Sequence, residues 1–155
     1  MLAIAAELDH ITEEIRGWIE VLEGGVEEHW DAKAGFYDSV DMRTGKHTGS
    51  LSSASFLCWY AGMRDDRMLA PLKRVMNEVG FGVPSNDPAA KTFNPLRYWR
   101  GPVWGIVNTL IGLGLGEADH LGMAEKDGRE TRRLIAEHGF LEYFSPMERA
   151  PAWGE

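Results

Sequence analysis

Between Pro102 and Leu115 the chain carries no charged residue, and Val103, Trp104, Ile106, Val107, Leu110, Ile111 and Leu113 cover nearly every side of what reads as one helix, with Pro102 in its first turn. A helix apolar all round has to be enclosed by other elements, so this stretch belongs inside a packed body. The chain has 155 residues, the length of about one domain.

The other patterns are helical as well. Ile4, Leu8, Ile11, Ile15, Trp18, Leu22 and Val26 recur at steps of three and four, the amphipathic period, with Gly24 and Gly25 expected to loosen the last turn at about 1 kcal/mol each. An apolar run from Ser55 to Met63 reads as a second helix. Asp65 and Asp66 stand as start signals before Met68, Leu69, Leu72, Val75, Met76 and Val79. The last helix runs from about Asp119 to His138, with Gly139 as its cap. Between Trp30 and Gly49 the period is lost, and Phe36–Asp41 followed by Arg43–Lys46 fits a small hairpin. A Pro/Gly/Asn-rich stretch from Gly80 to Gly101 is longer than an ordinary connection, and such loops are functional or disordered. Phe93, Tyr98, Trp99 and Arg100 at its end argue against disorder. Five helices and no convincing sheet give an all-α reading, with helices paired antiparallel.

Acidic residues outnumber basic ones by 24 to 16, leaving a net charge of -8, which repels polyphosphate and anionic lipid. Nucleic acid and membrane are therefore not expected partners. The apolar start from Met1 to Ala6 is interrupted by Glu7, Asp9, Glu13 and Glu14 before any signal-peptide core or span forms, so a cytoplasmic chain is expected. The one cysteine, Cys58, excludes an intrachain disulfide, and no zinc-finger spacing is present. Neither a metal nor another cofactor is expected. His10, His29, His47, His120 and His138 show no i, i+4 pairing and receive no catalytic role, and Cys58 lies in an apolar run that fits a buried structural thiol.

Two local signals bear on chemistry. Tyr98-Trp99-Arg100-Gly101-Pro102-Val103-Trp104 places aromatic faces, which stack on the C–H face of a sugar ring, beside an arginine that donates to hydroxyls. Equally, Trp99 and Trp104 fit core residues anchoring a loop. The second signal is Glu142 between Leu141 and Tyr143-Phe144. Aromatic neighbours desolvate a carboxylate and raise its pKa, as acid–base work requires, but the tripeptide also fits an exposed acid whose neighbours face inward.

Taken together, Tyr98–Trp104, Asn108, the GLGLG stretch at 112–116 and Gly139–Pro146 resemble the C-terminal part of the catalytic domain of glycoside hydrolase family 63, in its mannosylglycerate and glucosylglycerate hydrolase branch. Trp30-Asp31, Gly35–Asp38, Ser55–Leu57, Ala61-Gly62 and Val83–Ser85 extend the resemblance over most of the chain. It implies an (α/α)6 barrel and inverting hydrolysis by two carboxylates about 6.5 to 9.5 Å apart. It further implies Glu142 as general base, with Trp99 and Trp104 as walls of a sugar subsite and Tyr98, Arg100 and Gly101 beside them.

The general acid of that family lies upstream of the region matched here, and five helices are under half of a twelve-helix barrel. Residues 1–155 are thus expected to be a C-terminal fragment of the catalytic domain, a partial (α/α)6 barrel inactive alone, for a small α-glucoside or α-mannoside. At the other end, Glu148–Pro151 replaces a Gly-rich family loop and Ala152–Glu155 ends short of a further helix. A trehalase- or debranching-type hydrolase, or a non-catalytic carbohydrate-binding or assembly module, is the alternative. The all-apolar helix makes self-association through exposed apolar faces expected, since a monomer tolerates apolar patches of only roughly a few hundred Å².

Overall fold

The computed structural model describes residues 9–147. Ile4 and Leu8 of the first helical pattern, and the segments Glu148–Pro151 and Ala152–Glu155, lie outside the described residues. About half of the described chain is helical, with short strand pairs between the helices. Helix α1 is Asp9–Glu27, followed by β1 (Trp30–Asp31), β2 (Phe36–Tyr37), β3 (Val40–Asp41) and β4 (Lys46–His47). Gly24 and Gly25 do not end α1 early. Its last turn is tied down because Val26 packs on the core and Glu27 accepts hydrogen bonds from Arg67 (2.8 Å) and Tyr37 (3.1 Å).

β1 pairs with β2 and β3 with β4, both antiparallel, through turns of one design. Asp31 and Asp41 each accept, through Oδ1, a hydrogen bond from the backbone N–H two residues on. The chain then reverses at Gly35 and Gly45, whose φ values of 78° and 68° favour glycine. The hairpin expected between Phe36 and Lys46 is therefore β3–β4, and the Asp-x-x-x-Gly spacing that makes it also occurs one hairpin earlier.

The run from Ser55 to Met63 is not an α-helix. It forms a 3-10 turn over Ser53–Cys58 and then bends, because Phe56 and Trp59, both about 1% exposed and stacked at 6.4 Å, have to enter the core together. Asp65 caps a further 3-10 turn, Asp66–Met68, by accepting from the Arg67 N–H, and α2 (Leu69–Glu78) continues from it. The segment from Gly80 to Gly101 is ordered. Arg74 grips Asp87 bidentately at 2.9 and 2.7 Å, and Gly82 to Asn86 are buried.

Pro102 does not open a helix. Val103–Trp104 form β5, because their backbone pairs with β6 (Tyr143–Phe144) and with Pro84, and helix α3 starts only at Gly105, running to Glu117. After a three-residue connection comes α4 (Leu121–His138), ended at Gly139, whose N–H caps the Ile135 carbonyl at 2.8 Å. α3 packs along α4 on one side and against the 3-10 turn on another. Gly114 makes the latter contact, since a Cβ there would run into the backbone of Trp59 and Tyr60.

The main core joins Leu51, Phe56, Trp59, Met68, Leu72, Val75, Val83, Ile111 and Leu115. A smaller one, Val103, Leu134 and Phe144, lies under the β5–β6 ladder. The expected enclosure of α3 is incomplete: Ile106 and Leu113 are more than half exposed. The amphipathic stripe of α1 is also exposed, at Ile15, Trp18, Ile19 and Leu22. No helix among the described residues is long and apolar enough to cross a membrane.

Candidate active site

Two segments distant in sequence are joined by the β5–β6 ladder, in which Val103 faces Phe144 and Trp104 faces Tyr143. Phe144 is fully buried in the small core, which fixes the register, and Glu142 stands exposed just before the strand. Of the two readings of Glu142, the structure shows the exposed acid. Leu141 and Phe144 turn inward onto Val103 and Leu134, while the carboxylate between them stays in solvent.

Above the ladder stands an aromatic cluster. The rings of Trp99 and Trp104 stack face to face at 4.0 Å, with 5° between their planes. Tyr98 meets Trp104 edge-on at 4.9 Å and Tyr143 at 5.8 Å, and Tyr143 lies 5.3 Å from Trp104. The two readings of the tryptophans divide between them: Trp104 is buried, whereas Trp99 and Tyr98 are each 51% exposed. Trp104 Nε1 is buried without an acceptor among the described residues, leaving an indole N–H in the cluster with nothing to bind.

The backbone under the cluster is strained and braced. Tyr98 has φ of 33°, in the left-handed region that a tyrosine seldom occupies. Ser85 Oγ accepts from the Gly101 N–H at 3.0 Å and reaches the Tyr98 carbonyl at 3.4 Å, and Asn94 N–H donates to the Arg100 carbonyl at 2.7 Å. Gly101 is needed for this fit, since a Cβ would come within 2.5 Å of the Asn94 carbonyl oxygen. The Arg100 side chain is exposed, with no hydrogen bond or ion pair among the described residues.

Asn108 ties the assembly to α3. Fully buried, it accepts from the Val83 N–H at 2.7 Å and donates to the carbonyls of Val83 (3.0 Å) and Trp104 (3.1 Å), so one side chain holds both the Gly82–Ser85 segment and β5. The structure thus brings together Tyr98, Trp99, Gly101 and Trp104, with the exposed Glu142 next in the chain to Tyr143 of the cluster. It adds Ser85, Asn94, Asn108 and Tyr143, whose roles no spacing announced.

Elsewhere, Arg67 lies 4.0 Å over the Trp30 ring and bridges Asp65 and Glu27, with Tyr37 donating to Asp65 at 2.5 Å. Arg67 and the Tyr37 hydroxyl hold the Asp65 carboxyl below the usual carboxylate range. Burial pushes the Cys58 thiol up to about 12, which agrees with an inert structural cysteine. Asp31, Asp38 and His47 bring ligand atoms within 4.8 Å of one another, a grouping not apparent in the sequence. Both carboxylates already accept hydrogen bonds from their own loops: Asp31 from Lys33 and Ala34, Asp38 from Thr48 and Ser50.

A family model described as a mannosylglycerate hydrolase MGH1-like glycoside hydrolase domain matches residues 1–155. The chain is 34% identical to mannosylglycerate hydrolase MGH1 of Selaginella moellendorffii, over 91% of its own length and 30% of that protein. To the mannosylglycerate hydrolase of Thermus thermophilus it is 33% identical, over 100% of the chain and 38% of the relative. A glucosylglycerate hydrolase of Mycolicibacterium hassiacum is 28% identical, over 86% of the chain and 32% of that protein. A crystal structure of the GH63 mannosylglycerate hydrolase from Thermus thermophilus in complex with glucose superposes with a TM-score of 0.86 at 33% identity, covering 90% of this chain and 36% of that one. The chain thus spans about a third of the length of the relatives it matches.

Proposed function

Because the chain belongs to the mannosylglycerate hydrolase MGH1-like glycoside hydrolase family, we propose that it is part of an inverting glycosidase, working in the cytoplasm on small α-mannosides or α-glucosides such as mannosylglycerate and glucosylglycerate. Its helices contribute part of an (α/α)6 barrel. The observation that supports the reading is the β5–β6 ladder, which pairs Trp104 of the aromatic cluster with Tyr143, the residue after Glu142.

In this reading Trp99 presents an aromatic surface to the sugar, and Tyr98 and Arg100 donate to its hydroxyls. Gly101 keeps the turn tight enough for the Trp99–Trp104 stack. Glu142 accepts the proton of a water that attacks the anomeric carbon. A second carboxylic acid protonates the departing glycerate oxygen and comes from outside these 155 residues.

The test is hydrolysis of mannosylglycerate and glucosylglycerate by this chain and by a version extended to the length of its relatives, with the first-formed anomer followed by NMR. The expected result is no turnover by the chain alone and inversion by the extended protein. In the latter, Glu142→Gln should lower kcat on the order of 10²- to 10⁴-fold while sugar binding persists. Unchanged turnover would remove Glu142 from the role of base. The exposure of Glu142 favours one other reading, a sugar-binding or assembly module. Sugar-dependent tryptophan fluorescence without hydrolysis in either protein would decide for it.

A further inference from the structure

Three backbone groups of the Tyr98–Pro102 segment end on one residue, Ser85. Its hydroxyl oxygen accepts from the Gly101 N–H at 3.0 Å and its hydroxyl hydrogen reaches the Tyr98 carbonyl at 3.4 Å, so one side chain holds both ends of the Tyr98–Gly101 turn. The Ser85 N–H donates to the Pro102 carbonyl at 2.9 Å. Ser85 is 3% exposed, and the residues before it are fixed: Val83 is buried in the main core and bound by Asn108, and Pro84 bridges to Val103. The hydroxyl is therefore a rigid anchor, and removing it takes the acceptor from a buried N–H.

The conformation it anchors is one that a tyrosine disfavours. Relaxing Tyr98 from its φ of 33° to the ordinary negative region would re-aim the Tyr98 and Trp99 side chains together. Trp104 cannot follow them, because it belongs to β5 and is paired with Tyr143. The face-to-face stack of Trp99 on Trp104 at 4.0 Å thus depends on the turn staying strained, and so does the direction in which the half-exposed Trp99 ring faces solvent.

We propose that Ser85 is the positioning residue of the aromatic platform: its hydroxyl clamps the Tyr98–Gly101 turn, lays Trp99 on Trp104 and so sets the affinity for the sugar ring. This rests on the reading of the cluster as a sugar subsite. A platform that holds the sugar equally in the ground state and the transition state acts on KM rather than on kcat, the reverse of what is expected of Glu142.

Two variants and two readouts test this. Ser85→Ala removes the hydroxyl, and Ser85→Cys keeps nearly the same volume with a much weaker hydrogen-bonding group. In the chain itself both should retain far-ultraviolet helicity and lose the near-ultraviolet dichroism of the stacked tryptophans. In the version extended to the length of the relatives, both should raise KM for mannosylglycerate roughly tenfold and leave kcat within about threefold. A serine that only stabilises the fold would instead lower apparent kcat with the folded fraction and leave KM unchanged, which would overturn the proposal. Wild-type KM in Ser85→Cys would overturn it too, by showing that volume and not the hydroxyl matters, as would a tryptophan signal unchanged in both variants. Failure of the sugar reading shows separately, as absence of hydrolysis by the extended wild type. The dissociation constant for mannosylglycerate, followed by tryptophan fluorescence, then takes the place of KM, and its equality in wild type and both variants would overturn the proposal.

Discussion

α3 covers Asp127 at Gly112, while Glu130 on its own helix adds repulsion to the dominant effect of burial, which pushes the Asp127 carboxyl up to about 7. An unfolded aspartate ionises near pH 4. Between about pH 4 and 7 the folded chain therefore holds a proton that the unfolded chain has lost, and stability falls as pH rises through that window before levelling off above it. Asp127→Asn should remove this slope. Urea unfolding at pH 4, 6 and 8 is expected to show the variant gaining on wild type as pH rises, by on the order of a few kcal/mol at pH 8. A constant difference between the two would contradict the assignment. A second residue-scale prediction concerns Gly101→Ala, whose Cβ collides with backbone rather than a mobile side chain. The turn has to open, so the near-ultraviolet dichroism of the Trp99–Trp104 stack should collapse while far-ultraviolet helicity is retained.

At the scale of elements, Asn108 is the joint between α3, β5 and the Gly82–Ser85 segment. Asn108→Leu fills similar volume but leaves the Val83 N–H and carbonyl buried without partners, and should cost on the order of 3 kcal/mol in denaturant unfolding. A loss within a few tenths would show that water replaces the side chain. α1 and α2 were legible in the sequence because each repeats its apolar residues over several turns, and Asp65 and Gly139 were legible as the start signal of one helix and the cap of another. Two-residue strands carry no period, so β5 and β6 were not, and Pro102 pointed to a helix start ahead of the true one because its fixed φ also suits extended backbone. The aromatic residues of the site were legible by type. Their bracing by Ser85, Asn94 and Asn108 was not, since those hydrogen bonds join positions with no regular spacing. Asp127 escaped notice because one acid on a helix rich in charge looks solvated until α3 is laid over it.

At the scale of the molecule, the described residues leave two apolar faces open, one along α1 and one at the α3–α4 groove. The chain spans about a third of the length of its relatives.

The β5–β6 ladder also has a consequence for synthesis on the ribosome. Because the strand after Gly101 pairs with one that follows α4, the hairpin of α3 and α4 can form while the cluster above β5 still lacks its second strand. Closure of the aromatic cluster, unlike helix content, thus waits until Phe144 has left the exit tunnel, and a translational pause in the codons for α4 would leave Trp104 exposed to chaperones.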